Sequence, residues 1–212
     1  MFRVQREELV DELTKKGISD LAVIKAIGSV PREKFIDKTM QHMAYKDVAL
    51  PIGYNQTISQ PYTVAFMTQL LNIKKPGMKI LEIGTGSGYQ AAVLYEMQAE
   101  VFSIERSVDL FNKTAKLFDK LGIRVHAKYG DGTIGWSEFA PFDGIIVTAG
   151  SPVIPKKLKE QLSIGGRMVI PVGDKISQKL YLIRKDSEDN FEVETIPEFT
   201  FVPLIGREGW KK

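Results

Sequence analysis

Residues 82–88 read Glu-Ile-Gly-Thr-Gly-Ser-Gly, with three alternating glycines directly after an apolar run, Met78 to Ile83. Glycine has no Cβ, so such a turn lets the backbone come close to a ligand. The run before it has the character of a buried parallel strand, and Ala91-Ala92-Val93-Leu94 after it suits a helix. Strand, glycine turn and helix together make the nucleotide-site element of open α/β folds. The dinucleotide form of that turn wants its third glycine at position 89, which is Tyr89. The spacing therefore points away from NAD and towards another nucleotide-like ligand. The plainer reading is a turn that only packs a helix on a sheet, and acidic residues further on weaken it. Glu105 ends the next apolar stretch, Val101 to Glu105, where an acid at the second strand end would reach ribose hydroxyls. Asp131 sits between Gly130 and Gly132 after a third strand; it could accept from an adenine amino group or simply make a turn. A fourth strand, Phe142 to Val147, ends in Thr148-Ala149-Gly150. Polar features at successive strand ends place a ligand at the carboxyl edge of the sheet. Ser59, two residues before Pro61, reads from spacing alone as a helix N-cap.

The elements that must hold these residues follow from periodicity and breakers. Helices are expected over Arg3 to Lys16 and Ser19 to Ile27, stopped by Gly17 and Gly28, with a short one over Arg32 to Asp37 behind Pro31. Residues 47–60 look turn-rich, and Pro61 opens a helix to Leu71 with Ser59 or Gln60 near its cap. Helices over 88–97, 107–121 and 155–162 alternate with four strands within 79–147, the third over Arg124 to Lys128, and a fifth over 167–173. Residues 179–184, 191–196 and 199–204 look like strands without intervening helices, which calls for antiparallel pairing. The fold class is α/β: a mostly parallel, doubly wound, Rossmann-like sheet with N-terminal helices and antiparallel C-terminal strands. Residues 1–212 form one domain, divided into a helical and substrate-loop region (1–76), a cofactor-binding core (77–173) and C-terminal strands (174–212).

Composition narrows the function classes. Apolar residues make up 43% and charged residues 26%, as in soluble globular chains. No stretch approaches the roughly 20 apolar residues of a membrane span, and the N-terminus has no apolar signal core, so a cytoplasmic protein is expected. There are 0 cysteines, which removes disulfides, thiolate metal sites and cysteine nucleophiles. His42 and His126 are far apart, and no metal cluster is visible. A net charge of +3 does not argue for nucleic acid, which normally needs a concentrated basic face.

The pattern E-x-G-x-G-x-G from Glu82 resembles the first motif of the S-adenosylmethionine-dependent methyltransferases, in which the acid can hold the amino group of the methionine half. Residues 51–67 carry the resemblance further. Thr57-Ile58-Ser59-Gln60-Pro61 is similar to the signature loop of the bacterial and archaeal protein-L-isoaspartate (D-aspartate) O-methyltransferases. The likeness continues through Leu81 to Gln90, Gly130-Asp131-Gly132, Ala140 to Ala149 and Gly165 to Gly173, and ends in Phe201-Val202-Pro203-Leu204. It implies methyl transfer from S-adenosylmethionine to the free α-carboxylate of L-isoaspartyl residues in aged proteins, with S-adenosylhomocysteine as product. The methyl ester then closes to a succinimide, whose hydrolysis returns some normal aspartate. It also implies that Ser59 is the active-site serine, and that Thr57, Ile58, Glu82, Gly84, Gly86, Gly88, Glu105, Asp131 and Gly132 are cofactor positions. No metal is implied. The expected partners are isoaspartyl proteins and peptides, with no nucleic acid or membrane and a monomeric chain. Some animal members carry histidines in the helix after the serine loop; here Tyr62 and Val64 stand there, so no histidine role transfers.

Two other readings remain. A methyltransferase of this fold could act on RNA or a small molecule, but Thr148-Ala149-Gly150-Ser151 lacks the acidic-aromatic tetrapeptide common in amine methylators. A non-catalytic binding module would have lost the cofactor glycines or acids, and all are present.

Overall fold

The structure is a computed structural model that describes residues 2–211. The chain opens with α1 (Arg3–Lys15) and α2 (Leu21–Ser29). The second helix starts later than expected because Asp20, not Ser19, caps it, accepting from the backbone N–H of Ala22 at 2.9 Å and of Val23 at 3.3 Å. Gly28, expected as a stop, lies inside α2. A Cβ there would lie 3.4 Å from Val10 Cγ2, so its smallness lets the two helices approach. The stop comes from Pro31, which disfavours helical backbone at Val30.

The stretch expected to be turn-rich contains a hairpin, β1 (Leu50–Gly53) paired antiparallel with β2 (Gln56–Ile58). Tyr54 and Asn55, both at φ 55°, make its tight turn. Strands of 4 and 3 residues are too short for alternation to show in sequence. Directly after it, α3 (Pro61–Leu71) begins with proline at its first position, where no N–H is needed.

From there strands and helices alternate: β3 (Lys79–Ile83), α4 (Tyr89–Glu96), β4 (Glu100–Glu105), α5 (Val108–Leu121), β5 (His126–Tyr129), β6 (Phe142–Val147), α6 (Lys156–Glu160) and β7 (Leu162–Gly173). Two further strands, β8 (Gln178–Lys185) and β9 (Phe191–Phe199), complete a 7-stranded sheet of order β5-β4-β3-β6-β7-β8-β9. Pairing is parallel from β5 to β7 and antiparallel from β7 to β9. The strand order reverses between β3 and β6, which opens a crevice at their carboxyl ends.

The sheet is buried on both faces, and the period of two along each strand sorts its side chains. Ile80, Val101, Ile146 and Val169 join one core with Leu9, Ile27, Val64 and Val93 of the helices. Leu81, Phe102, Ile145 and Met168 join the other. Several boundaries differ from the sequence reading: β5 begins at His126 rather than Arg124, and β9 runs on to Phe199. β7 begins at Leu162 and takes in Gly165 at φ 80° rather than starting after it. Of the expected strand over 199–204, Phe199 ends β9 and residues 200–204 form no further strand. That segment crosses the sheet's edge instead, held by Gly150, whose N–H donates to Val202 O at 2.7 Å and whose carbonyl accepts from Leu204 N at 2.8 Å. Pro203 has no N–H for a ladder. No helix among the described residues is long and apolar enough to cross a membrane.

Candidate active site

A cleft of about 500 Å³ opens at the switch point, within the range that encloses a cofactor-sized molecule. The glycine turn forms its floor. Gly84 is at φ 97°, and a Cβ there would stand 2.5 Å from Thr148 Oγ1. That hydroxyl donates towards the carbonyls of Ile83 at 3.0 Å and Gly84 at 2.8 Å, and so ties the end of β6 to the turn. A Cβ on Gly132 would collide with Ile83 Cγ2 at 2.4 Å. Lacking a Cβ, the two glycines pack tightly on Thr148 and Ile83, and both line the cleft.

Glu105 forms one wall. Its carboxylate accepts from the N–H of Gly86 at 2.8 Å and of Ser107 at 2.7 Å. A carboxylate has about four acceptor positions, so about two remain for a pair of hydroxyl donors. The glycine cradle, the cleft size and this acidic wall fit a nucleoside with a free diol.

Thr57, Ile58 and Ser59 line the opposite side. Ser59 is half-buried, and its hydroxyl has no hydrogen-bond partner among the described residues. It does not cap α3. Gln60 occupies the cap position without a side-chain bond, and Asp47, from 15 residues upstream, accepts from Tyr62 N at 2.7 Å. Asp47 in turn receives Lys16 Nζ at 2.7 Å. Ser59 is therefore left free at the cleft wall.

Three expected cofactor contacts take different positions. Glu82 does not reach the cleft: its side chain is fully buried and receives Ser103 Oγ, its neighbour on β4. Ser103 in turn bonds Thr85 at 2.6 Å, and Thr85 does line the cleft. Burial, helped by the nearby Glu105, pushes the Glu82 carboxyl up to about 8, so it stays neutral at pH 7. Glu82 meets the cleft lining only through Ser103 and Thr85, so the expected direct contact is corrected to an indirect one. Gly88, at φ 85°, serves packing: a Cβ would meet Thr114 Cγ2 at 2.6 Å and Phe118 at 2.7 Å. The Asp131 carboxylate is already engaged. Oδ1 accepts from Thr133 N at 2.9 Å and Thr133 Oγ1 at 2.7 Å, and Oδ2 accepts from Arg207 N at 2.8 Å.

That last bond pins a C-terminal strap, whose Val202 to Ile205 segment closes one side of the cleft. Trp210 Nε1 anchors it again on Gly150 O at 3.1 Å. Sequence reasoning missed the strap, because alternating apolar residues at 202 and 204 imitate a strand. It also missed Asp47, which carries no local signal. Neither histidine belongs to the site. His126 stacks on Phe102 at 4.6 Å, and His42 faces Thr39 O at 3.1 Å. No metal-ligating cluster occurs among the described residues.

Comparison with known proteins places this geometry in context. A model of the protein-L-isoaspartate(D-aspartate) O-methyltransferase family matches residues 4–209. A protein-L-isoaspartate O-methyltransferase of Chlorobium phaeobacteroides is 53% identical over 210 residues, covering 99% of this chain and 97% of its own. One from Flavobacterium johnsoniae is 54% identical over 201 residues, covering 94% and 93%. Among solved structures, a protein-L-isoaspartate O-methyltransferase superposes with a TM-score of 0.87 at 32% identity, over 96% of this chain and 67% of that one. A Plasmodium falciparum chain described as a member of the same enzyme class, solved with S-adenosyl-L-homocysteine, superposes with a TM-score of 0.81 at 26% identity, over 94% and 98%.

Proposed function

This chain belongs to the protein-L-isoaspartate(D-aspartate) O-methyltransferase family, and on that premise we propose how its own residues perform the reaction. It is an S-adenosylmethionine-dependent carboxyl O-methyltransferase. It methylates the free α-carboxylate of L-isoaspartyl residues in damaged proteins and peptides, and the ester then closes to a succinimide. The observation that carries the residue assignment is the free Ser59 hydroxyl facing a glycine-floored, acid-walled cleft.

When bound, S-adenosylmethionine supplies an electrophilic methyl group on a sulfonium sulfur. Gly84, Gly86 and Gly132 give the backbone floor that would hold it, with Glu105 accepting from the ribose hydroxyls and Thr57 and Ile58 closing over it. Gly88 and Glu82 act from behind, the first through helix packing and the second through Ser103 and Thr85. Asp131 has one acceptor position left beside Gly132, which suits an adenine amino group.

The acceptor carboxylate has an unperturbed pKa of about 4 and is ionised at neutral pH. It needs no general base, which agrees with a cleft that has no histidine among the described residues of its walls. Ser59 donates a hydrogen bond that orients the carboxylate. Opposite charges vanish along the reaction, so a wall that excludes water favours it; Ile58, Val202 and Leu204 provide one.

We read the chain as one unit, a reading supported by the core on one face of the sheet, which runs from Leu9 in α1 to Leu182 in β8. We read the enzyme as a cytoplasmic monomer that does not use nucleic acid, in keeping with a net charge of only +3 and 0 cysteines. Light scattering should give the mass of one chain; a dimer mass would refute the monomer. The reaction itself is tested by tritiated methyl transfer to an isoaspartyl peptide beside its aspartyl twin. Label in the isoaspartyl peptide alone is expected, and equal labelling of both would reject the substrate.

A further inference from the structure

Beyond the cleft, a second hollow of about 430 Å³ lies against α3 and the end of β9. Its floor is Tyr62, Phe66, Ile196 and Phe199, and Gln60, Thr63 and Thr200 make its rim. The rings continue as a stacked row. Tyr62 and Phe66 lie 5.6 Å apart at 17°, Phe66 and Phe199 6.0 Å at 18°, and Phe199 and Phe201 6.2 Å at 28°. All four rings are half-buried and keep a solvent-facing part. Thr63 lines both hollows, and Gln60 follows Ser59 directly, so the groove runs on from the wall that holds the acceptor carboxylate.

We propose that this groove is a subsite for the polypeptide flanking the isoaspartyl residue, and that it takes a large apolar or aromatic side chain one or two positions away. This rests on the reading of the cleft as the methyl-transfer site. A substrate polypeptide continues on both sides of the modified residue, at about 3.3–3.6 Å per residue when extended. Once the carboxylate is held at Ser59, the neighbouring residues must lie on the adjoining surface. Among the described residues, the groove is lined by three rings and an isoleucine with an amide and two hydroxyls at its rim, a surface suited to an apolar flank. The rings stack on one another, and the parts they leave exposed favour another ring in edge-on or offset contact. Selectivity of this kind leaves the isoaspartyl carboxylate as the required group and lets the flank tune affinity.

The test is a scan of isoaspartyl peptides in which phenylalanine replaces glycine at each of the four nearest positions. KM is measured at saturating S-adenosylmethionine, and binding to the S-adenosylhomocysteine-loaded enzyme is measured by fluorescence anisotropy. Phenylalanine at one or more positions should lower KM and the dissociation constant about fivefold. Phe199→Leu and Phe66→Leu, which keep apolar bulk but remove the ring, should abolish that advantage. The all-glycine peptide should keep its KM in both variants. No aromatic advantage at any position, or an advantage that survives both variants, overturns the proposal. So does a self-association lost in Phe199→Leu with no change in peptide preference, which would assign the surface to a second copy of this chain. If the wild-type enzyme fails to methylate even the all-glycine peptide, the methyl-transfer reading of the cleft falls instead, and the anisotropy scan still decides whether the groove holds a ring.

Discussion

The role proposed for Ser59 rests on a hydroxyl that has no other partner among the described residues. Its hydroxyl is not spent on the helix behind it, since Asp47 takes the N–H of Tyr62. Ser59→Ala should therefore lower kcat by about a hundredfold, the cost of misplacing a reacting group by about an ångström. Calorimetry should find S-adenosylmethionine affinity unchanged, and wild-type turnover would remove the serine from the mechanism. Glu82 poses a different test. Its folded-state pKa of about 8 lies above its ordinary value of 4.5, because burial disfavours the charge. Between those values the native state keeps a proton that the unfolded chain releases, so stability falls as pH rises from about 5 to 8. Glu82→Gln keeps a neutral group of similar shape and should flatten that slope in urea unfolding at pH 5.5 and 7.5. A variant with the wild-type slope would mean that Glu82 is not the titrating group. Both residues show what sequence can and cannot reveal. The glycines at 84 and 86 and the acid at Glu105 were legible because their spacing is local to one strand-turn-helix unit. Glu82 shared that motif, but its neighbour Ser103 comes from β4, and only the sheet register shows that the carboxyl faces inward.

At the scale of elements, the serine loop hangs between a short hairpin and α3, and its placement depends on contacts from elsewhere. Asp47 joins Lys16 at the end of α1 to the first turn of α3. Asp47→Ala removes an acceptor that works as a long-range cap, a loss of about 1 kcal/mol. The expected result is a lower melting temperature together with reduced kcat and raised peptide KM, at unchanged S-adenosylmethionine affinity. Asp47→Asn, which can still accept from Tyr62, should recover most of the turnover. If both variants behave alike, the charge rather than the cap matters. The alternating strands and helices from β3 to β7 were legible because each apolar run is bounded by glycine or a cap, such as Ser107 before α5. The hairpin and the strap were not. The hairpin strands are too short to display a period, and Val202 and Leu204 alternate like a strand while their backbone bonds go to Gly150 and, from Leu204 O, to Trp210 N.

The whole molecule is a parallel sheet whose ends are used differently. Its carboxyl edge holds the cleft, while the antiparallel strands β8 and β9 extend the sheet and return the chain so that residues 202–210 close over that edge. The strap stays in place through Asp131, and this has a consequence for how the enzyme itself ages. Asp131 precedes Gly132, an open pair in which the glycine nitrogen can attack the aspartyl carboxyl and begin isomerisation. Here the carboxyl is held by Thr133 and Arg207. At the second such pair, Asp143 before Gly144, the carboxylate is held by Lys79 N at 2.8 Å. Prolonged incubation of the folded enzyme, followed by peptide mapping, should leave both aspartates intact, whereas the urea-unfolded chain should accumulate isoaspartate at both. Equal damage in the two states would show that these hydrogen bonds give no protection. Intact aspartates would mean that two sets of bonds, the strap's at the catalytic edge and Asp143's at the opposite end of the sheet, keep the enzyme from becoming its own substrate.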